Sequence, residues 1–292
     1  MTMSSNLPEW LRKSFSGLVV SDLDGTLRGP GGEISSNVLS ALENLEEKNI
    51  LRVVATGRSL HSTKKILSED FPIDMLIFSS GAGVLCWKTG DLLRKHSLEE
   101  SQAAELSNFL RNWGDLSFMV HQEIPENHRF LFFEASNPTG DFLRRVELHR
   151  EHAGILADSW PAKTRATQVI VILSETEAAI YNQLKDALPS YSVIRTTSPL
   201  DHTSIWVEIF PKHVSKSQTT QWLAEQMGLT AGAAMAIGND YNDMDLLDWA
   251  GASFVVSGAP GVLKGRYPVV GSCESGGPAE AIELWLRERR VT

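Results

Sequence analysis

The chain has 292 residues, 27 basic against 36 acidic, a formal charge of -9, and the 42% hydrophobic and 22% charged content of an ordinary globular protein. The acidic balance excludes an extended nucleic-acid surface, and no apolar run approaches the roughly 18 residues of a membrane helix. The length suits two domains, or one domain carrying a large insertion. Cys86 and Cys273 have no metal-ligand spacing and read as buried thiols in a reducing compartment. Met1 to Ser16 lacks the apolar core of a signal peptide, so the expected location is cytoplasmic.

In chain order, the first informative stretch runs from Gly17 to Leu27, where the apolar Leu18-Val19-Val20 ends in Asp22-Leu23-Asp24-Gly25-Thr26. The apolar run predicts a strand covered on both faces. Residues two apart in extended chain point the same way, so Asp22 and Asp24 aim into one volume. Either a divalent cation lies between them, or one carboxyl is held protonated as an acid. Ser35 or Ser36 then caps a helix with Val38, Leu39, Leu42 and Leu45 on one face, ending near Asn49. Ile50 to Ala55 is a second buried strand, which completes a β-α-β unit and implies a parallel sheet. Its carboxyl end carries Thr56-Gly57-Arg58, where a hydroxyl and backbone N–H groups suit a phosphate oxygen; ligands of open parallel sheets bind at these ends.

A helix from His61 to Leu67 leads to the strand Met75 to Phe78 and the turn Ser79-Ser80-Gly81-Ala82. From about Val84 the pattern changes to short strands (Val84 to Trp87, Leu116 to His121, Arg129 to Glu134, Gln168 to Leu173) alternating with amphipathic helices. The segment predicts an inserted α+β domain with a largely antiparallel sheet, closing near Ser198-Pro199-Leu200. Its aromatics and histidines, among them Trp113, His121, His128 and Trp160, read as core or surface rather than as ligands. The expected division is 1–83 and 201–292 for the first domain and 84–200 for the insertion.

The strand Ser204 to Phe210 is expected to return the chain to the first domain. Ser215 then caps a helix whose first turn holds Lys216, a placement that opposes the helix dipole unless an anion faces it. The apolar Ala233 to Ile237 is a further buried strand. It ends in Gly238-Asn239-Asp240-Tyr241-Asn242-Asp243, a second crowding of oxygen ligands at a strand tip, and hard oxygens at separated tips suit magnesium.

Four elements, Asp22-Leu23-Asp24-Gly25-Thr26, Thr56-Gly57-Arg58, Lys216 and Gly238 to Asp243, occur in the order and at the strand ends of the haloacid dehalogenase superfamily of phosphohydrolases, which the chain resembles. The long insertion between the second and third is similar to that of the Cof-type and sucrose-phosphatase-like branch, with its C2-type cap. The resemblance implies a doubly wound, Rossmann-like α/β core with an inserted α+β cap. It implies Asp22 as nucleophile forming an aspartyl-phosphate, Asp24 as general acid and base, and Thr56, Gly57, Lys216 and Asn242 at the phosphoryl group. Magnesium would be held by Asp22, the Asp24 carbonyl, Asn239 and Asp243. The substrate would be a small phosphate ester, most plausibly a sugar or polyol phosphate, with neither nucleic acid nor membrane as partner. A phosphomutase sharing the same nucleophile, or a phosphometabolite binder without turnover, are the alternatives. Asn239 stands where the family usually has aspartate, and Ser80 where relatives often have asparagine.

Overall fold

The computed structural model describes residues 14–158 and 160–289, so the reading of the first 13 residues lies outside it. Among the described residues no helix is long and apolar enough to cross a membrane. The chain divides into two units. One comprises residues 14–58, 63–94 and 215–289, and the other 59–62 and 95–214.

The first unit is built on an eight-stranded sheet in the spatial order Val269–Val270, Ala252–Val256, Ala234–Gly238, Gly17–Ser21, Ile50–Ala55, Met75–Phe78, Gly83–Cys86 and Leu92–Lys95. Gly17–Ser21 is buried at every position, as its apolar run requires, and pairs in parallel with Ile50–Ala55 on one side and Ala234–Gly238 on the other. The chain winds outward from this strand in both directions, so the order reverses between Gly17–Ser21 and Ala234–Gly238. That reversal is the switch point where doubly wound sheets open a crevice beyond their carboxyl ends. The helix Ser36–Glu47 buries Val38, Leu42 and Leu45, and Asn49 takes the left-handed conformation (φ 53°) that turns the chain into the next strand.

One charged residue lies inside that next strand. Arg52, 1% exposed, donates from Nε and Nη2 to Asp74 at 3.0 and 2.8 Å, and its backbone N–H reaches the same carboxylate at 3.0 Å. Glu46 adds a second anion at 2.9 Å. The fork ties Ile50–Ala55 to the entry of Met75–Phe78, and a buried guanidinium is stable only while its planar donors are met.

The second unit contains a six-stranded sheet ordered Tyr191–Thr197, Ile205–Pro211, Ala166–Leu173, Phe118–Gln122, Phe130–Phe133 and Ala153–Ile155, antiparallel except for the last pair. Alternation along Ala166–Leu173 sends Val169, Val171 and Leu173 to a core shared with Leu106 and Leu110 of the helix Glu100–Trp113 and Leu184 of Ala178–Ala187. Ile170 and Ile172 point the other way, onto Phe142, Phe130 and Trp206.

The unit boundaries fall at residues 94/95 and 214/215 rather than at 83/84 and 200/201. Gly83–Cys86 pairs antiparallel with Met75–Phe78 in the first sheet, and a turn at Gly90 (φ 75°) leads on to Leu92–Lys95 at the sheet edge. Ile205–Pro211 pairs within the second sheet, its Ile205, Val207 and Ile209 entering that core. Each is a short apolar strand, and hydrophobicity alone does not say which sheet a strand joins. The strand Tyr191–Thr197 gave no sequence signal because it is a half-buried edge rich in polar residues.

Two predictions follow from these buried groups. Asp74→Ala removes the acceptor of the Arg52 Nε, Nη2 and backbone N–H, leaves only Glu46 facing the buried guanidinium, and should lower unfolding free energy by about 3 kcal/mol in a urea titration. Burial lowers the His121 pKa to about 3 while its Nδ1 donates to the Asn127 carbonyl at 2.8 Å. Between about pH 6.5 and 3 the unfolded chain therefore binds a proton that the folded chain refuses, so stability is lost as pH falls, at about 1.4 kcal/mol per pH unit for this group. Urea titrations at pH 7 and pH 5 should show a smaller acid loss in His121→Gln than in the parent; equal losses would remove His121 as the cause.

Candidate active site

Neighbouring strands present the sequence-predicted residues at their carboxyl ends. Asp22 follows Gly17–Ser21 directly, and its backbone N–H donates to the Ile237 carbonyl of Ala234–Gly238 at 3.0 Å. Thr56 follows Ile50–Ala55, and its N–H donates to Ile77 at 2.9 Å. The tips of three parallel strands thus bring together Asp22, Thr56 and Asn239 at the switch point.

Lys216 enters from the helix Lys216–Gln226, whose cap Ser215 accepts a hydrogen bond from the Gln218 N–H at 3.2 Å. Its ammonium, 1% exposed, donates to Asp22 Oδ1 at 2.6 Å and Asp243 Oδ1 at 2.7 Å. The first helical turn, unfavourable for a cation, is thus offset by two carboxylates. Burial raises the Asp22 pKa to about 7 against the pull of Lys216, and Asp243 adds to the rise. Burial alone would lower the Lys216 pKa, but the two aspartates hold it above its ordinary value, so the proton of this cluster resides on the lysine.

Asp243 is spent in both directions. One oxygen faces Lys216, and the other accepts from the N–H groups of Asn239 and Asp240 at 2.9 and 3.1 Å. Gly238 permits this closeness, since a Cβ there would collide with the Asp243 side chain. A Cβ at Gly25 (φ 78°) would likewise collide with the Asn239 amide, so Asn239 reaches over the first motif. Asn242 lies half-buried in the turn Tyr241–Asp243 and takes no part in the hydrogen bonds that join Asp22, Lys216 and Asp243.

A second lattice fixes the Thr56 tip. The Thr56 hydroxyl accepts from the Arg58 N–H at 3.1 Å, Ser80 N–H donates to the Thr56 carbonyl at 3.0 Å, and Ser79 N–H to the Arg58 carbonyl at 2.8 Å. Gly57 lies beside Ser80. Ser79 and Ser80 both adopt positive φ (49° and 52°), and Gly81 (φ 110°) packs so closely on the Ser215 carbonyl that only glycine fits. The Thr219 hydroxyl donates to the Gly81 carbonyl at 2.9 Å, which ties this turn to the helix bearing Lys216. Ser80 thus stands in a left-handed position that asparagine occupies more readily.

Asp24 is placed differently from Asp22. Its side chain is 36% exposed and is gripped by the Arg58 fork, Nε at 2.5 Å and Nη2 at 2.9 Å, with Arg28 at 3.5 Å. Neither arginine was singled out as a site residue from sequence. The signal for Arg58 was its position directly after Thr-Gly on the strand next to the Asp-x-Asp tip; that for Arg28 was its i+4 spacing from Asp24.

The donors at the Asp22 tip are carboxylate, amide and carbonyl oxygens, the chemistry magnesium prefers, and the space that a Cβ at Gly25 would fill is kept for the Asn239 amide. The residues present therefore fit a magnesium ion.

The haloacid dehalogenase-like hydrolase family matches residues 19–281. A HMP-PP phosphatase of Klebsiella pneumoniae is 27% identical over 282 residues, 92% of this chain and 95% of the relative. SMU.1108c of Streptococcus mutans shares the fold with a TM-score of 0.74 at 18% identity, covering 94% of this chain and 100% of that one. BT4131, described as a HAD subclass IIB sugar phosphatase, superposes with a TM-score of 0.70 at 17% identity, covering 92% and 98%. The chain belongs to the haloacid dehalogenase-like hydrolases.

Lys216→Met leaves Asp22 and Asp243 opposed in a buried site. Unfolding free energy at pH 8 should fall by about 3–5 kcal/mol. Without the lysine the Asp22 pKa, already raised by burial, rises further above the unfolded value, so the variant binds more protons folded than unfolded and its deficit should shrink toward pH 5. Urea titrations at the two pH values check the magnitude and the sign.

Proposed function

We propose that this hydrolase is a magnesium-dependent phosphatase that hydrolyses a small phosphate monoester, a sugar or polyol phosphate foremost, through an aspartyl-phosphate on Asp22. The observation that carries this reading is the Asp22 carboxylate, buried at a parallel-strand tip with its pKa raised to about 7 and one oxygen held by Lys216. Burial makes the carboxylate a better nucleophile than one in water, and the lysine keeps it ionised.

In this reading Asp22 attacks phosphorus with the oxygen turned away from Lys216, and the ester oxygen leaves with the electron pair of the broken P–O bond. Asp24, entering the cycle as the carboxylic acid with its protonated oxygen released from the Arg58 fork, gives that oxygen the proton and becomes the carboxylate. Asp24 then takes a proton from water as that water attacks phosphorus, releasing inorganic phosphate and restoring Asp22. Lys216, the Thr56 hydroxyl and the Gly57 N–H hold the phosphoryl oxygens. Asp22, the Asp24 carbonyl and the Asn239 amide would hold magnesium, with Asp243 positioning Asn239 and Lys216 instead of ligating. When bound, the cation neutralises charge between the carboxylate and the phosphoryl oxygens. Asn242 serves by shaping the turn that aims Asp243. Cys86 and Cys273, both buried and free, suit the reducing cytoplasm proposed for the protein.

Phosphate release from a panel of sugar, polyol, nucleotide and cofactor phosphates, with HMP-PP included because of the Klebsiella relative's name, should show one preferred substrate. Release should stop on chelation and return with magnesium. Asp22→Asn should lose at least about 1,000-fold in kcat/KM with an unchanged circular dichroism spectrum. Substantial turnover in that variant would remove Asp22 from the nucleophile role.

A further inference from the structure

The second unit holds a cluster of side chains that the phosphatase reading does not use. His61 lies on the short helix Leu60–Lys64, His128 in the loop between Phe118–Gln122 and Phe130–Phe133, and His152 at the end of the turn Arg150–His152. All three are half-buried, and one nitrogen from each lies within 4.8 Å of the others. The His61 and His128 rings stack at 4.2 Å between centroids with planes 14° apart, and His152 stands edge-on to both, at 79° and 88°.

Packing alone does not account for this arrangement. The Nδ1 atoms of His128 and His152 are buried without hydrogen-bond partners, a standing cost that folded proteins seldom leave in place. The opposite nitrogen of His128, Nε2, faces the Glu126 carboxylate at 3.8 Å. At that distance the carboxylate does not hydrogen-bond the ring, but its charge favours a proton on Nε2 and leaves Nδ1 with the lone pair that a metal takes.

We propose that His61, His128 and His152 form a binding site for a divalent transition cation of the zinc class. Three imidazoles suit zinc, with a fourth position left for water or an anionic ligand, whereas the oxygen donors at Asp22 suit magnesium. The two sites would therefore sort two cations by donor type. Ligation places the metal in the plane of each ring, so binding turns His61 or His128 out of the stack, while His152 presents its edge already. The site goes beyond the phosphatase reading and does not depend on it.

The test is calorimetric titration of zinc chloride into the full-length protein saturated with magnesium, which fills the oxygen-donor site. The expected result is one zinc per chain, retained in Asp22→Asn and lost in His128→Gln and in His152→Gln, with circular dichroism confirming that each variant is folded. On the parent protein, cobalt(II) should produce the visible absorption of a four-coordinate nitrogen site, and zinc should displace it. No zinc binding by the parent, zinc binding unchanged in both histidine variants, or binding lost in Asp22→Asn would each overturn the proposal. Should either histidine variant fail to fold, the cobalt spectrum of the parent decides alone: a six-coordinate oxygen spectrum or none overturns the site.

Discussion

The first unit depends on a single cation. Lys216 is buried between Asp22 and Asp243, whose carboxylates come from chain positions 221 residues apart by number (243 − 22) and are brought together only by the parallel pairing of Gly17–Ser21 with Ala234–Gly238. Two buried anions at that distance repel strongly in a low-dielectric setting, and one ammonium between them turns the repulsion into two charge-assisted hydrogen bonds. The lysine also occupies a helix position that the dipole disfavours, so the helix end and the two strand tips are each incomplete without the others. Desolvation makes the arrangement costly for stability and useful for chemistry, because it lifts the Asp22 pKa while the lysine preserves the charge.

The remaining tips are aimed by backbone contacts instead of charge. Thr56 and Arg58 exchange main-chain hydrogen bonds with Ser80 and Ser79, and that turn rests on the N-terminus of the Lys216 helix through Gly81. A displacement of the Ser79–Gly81 turn would therefore move the Thr56 hydroxyl and the lysine together. Two consecutive non-glycine residues at positive φ are tolerated there because the surrounding hydrogen bonds fix the turn on both sides.

Most of the core was legible because its signals are local. An apolar run ending in paired carboxylates, a capped helix beginning with lysine and a second oxygen-rich strand tip each need only a few neighbouring residues to be read, and the parallel sheet follows from the β-α-β spacing. What was not legible depends on pairing. Ile205–Pro211 and Gly83–Cys86 were recognisable as strands, but register and partner decide the sheet, and those are set by residues far away in sequence. The Arg58 grip on Asp24 was hidden for the same reason: the guanidinium reaches across two strands, and neither residue alone specifies the other.

Asn239 shows how such distant constraints bear on a departure from a family pattern. From sequence, an amide in place of a carboxylate keeps an oxygen that can ligate magnesium but brings no charge, so weaker metal binding or a larger share for Asp243 is the expectation. In the folded chain the amide lies over Gly25, and the Asn239 backbone N–H donates to the Asp243 carboxylate at 2.9 Å. A further carboxylate there would add repulsion to a site where a single buried lysine already offsets Asp22 and Asp243, and where burial has already raised the Asp22 pKa to about 7. An amide keeps an oxygen donor without that repulsion. The amide therefore adds no charge to this strand tip, and the electrostatics of the cluster rest on Asp22, Asp243 and the lysine between them.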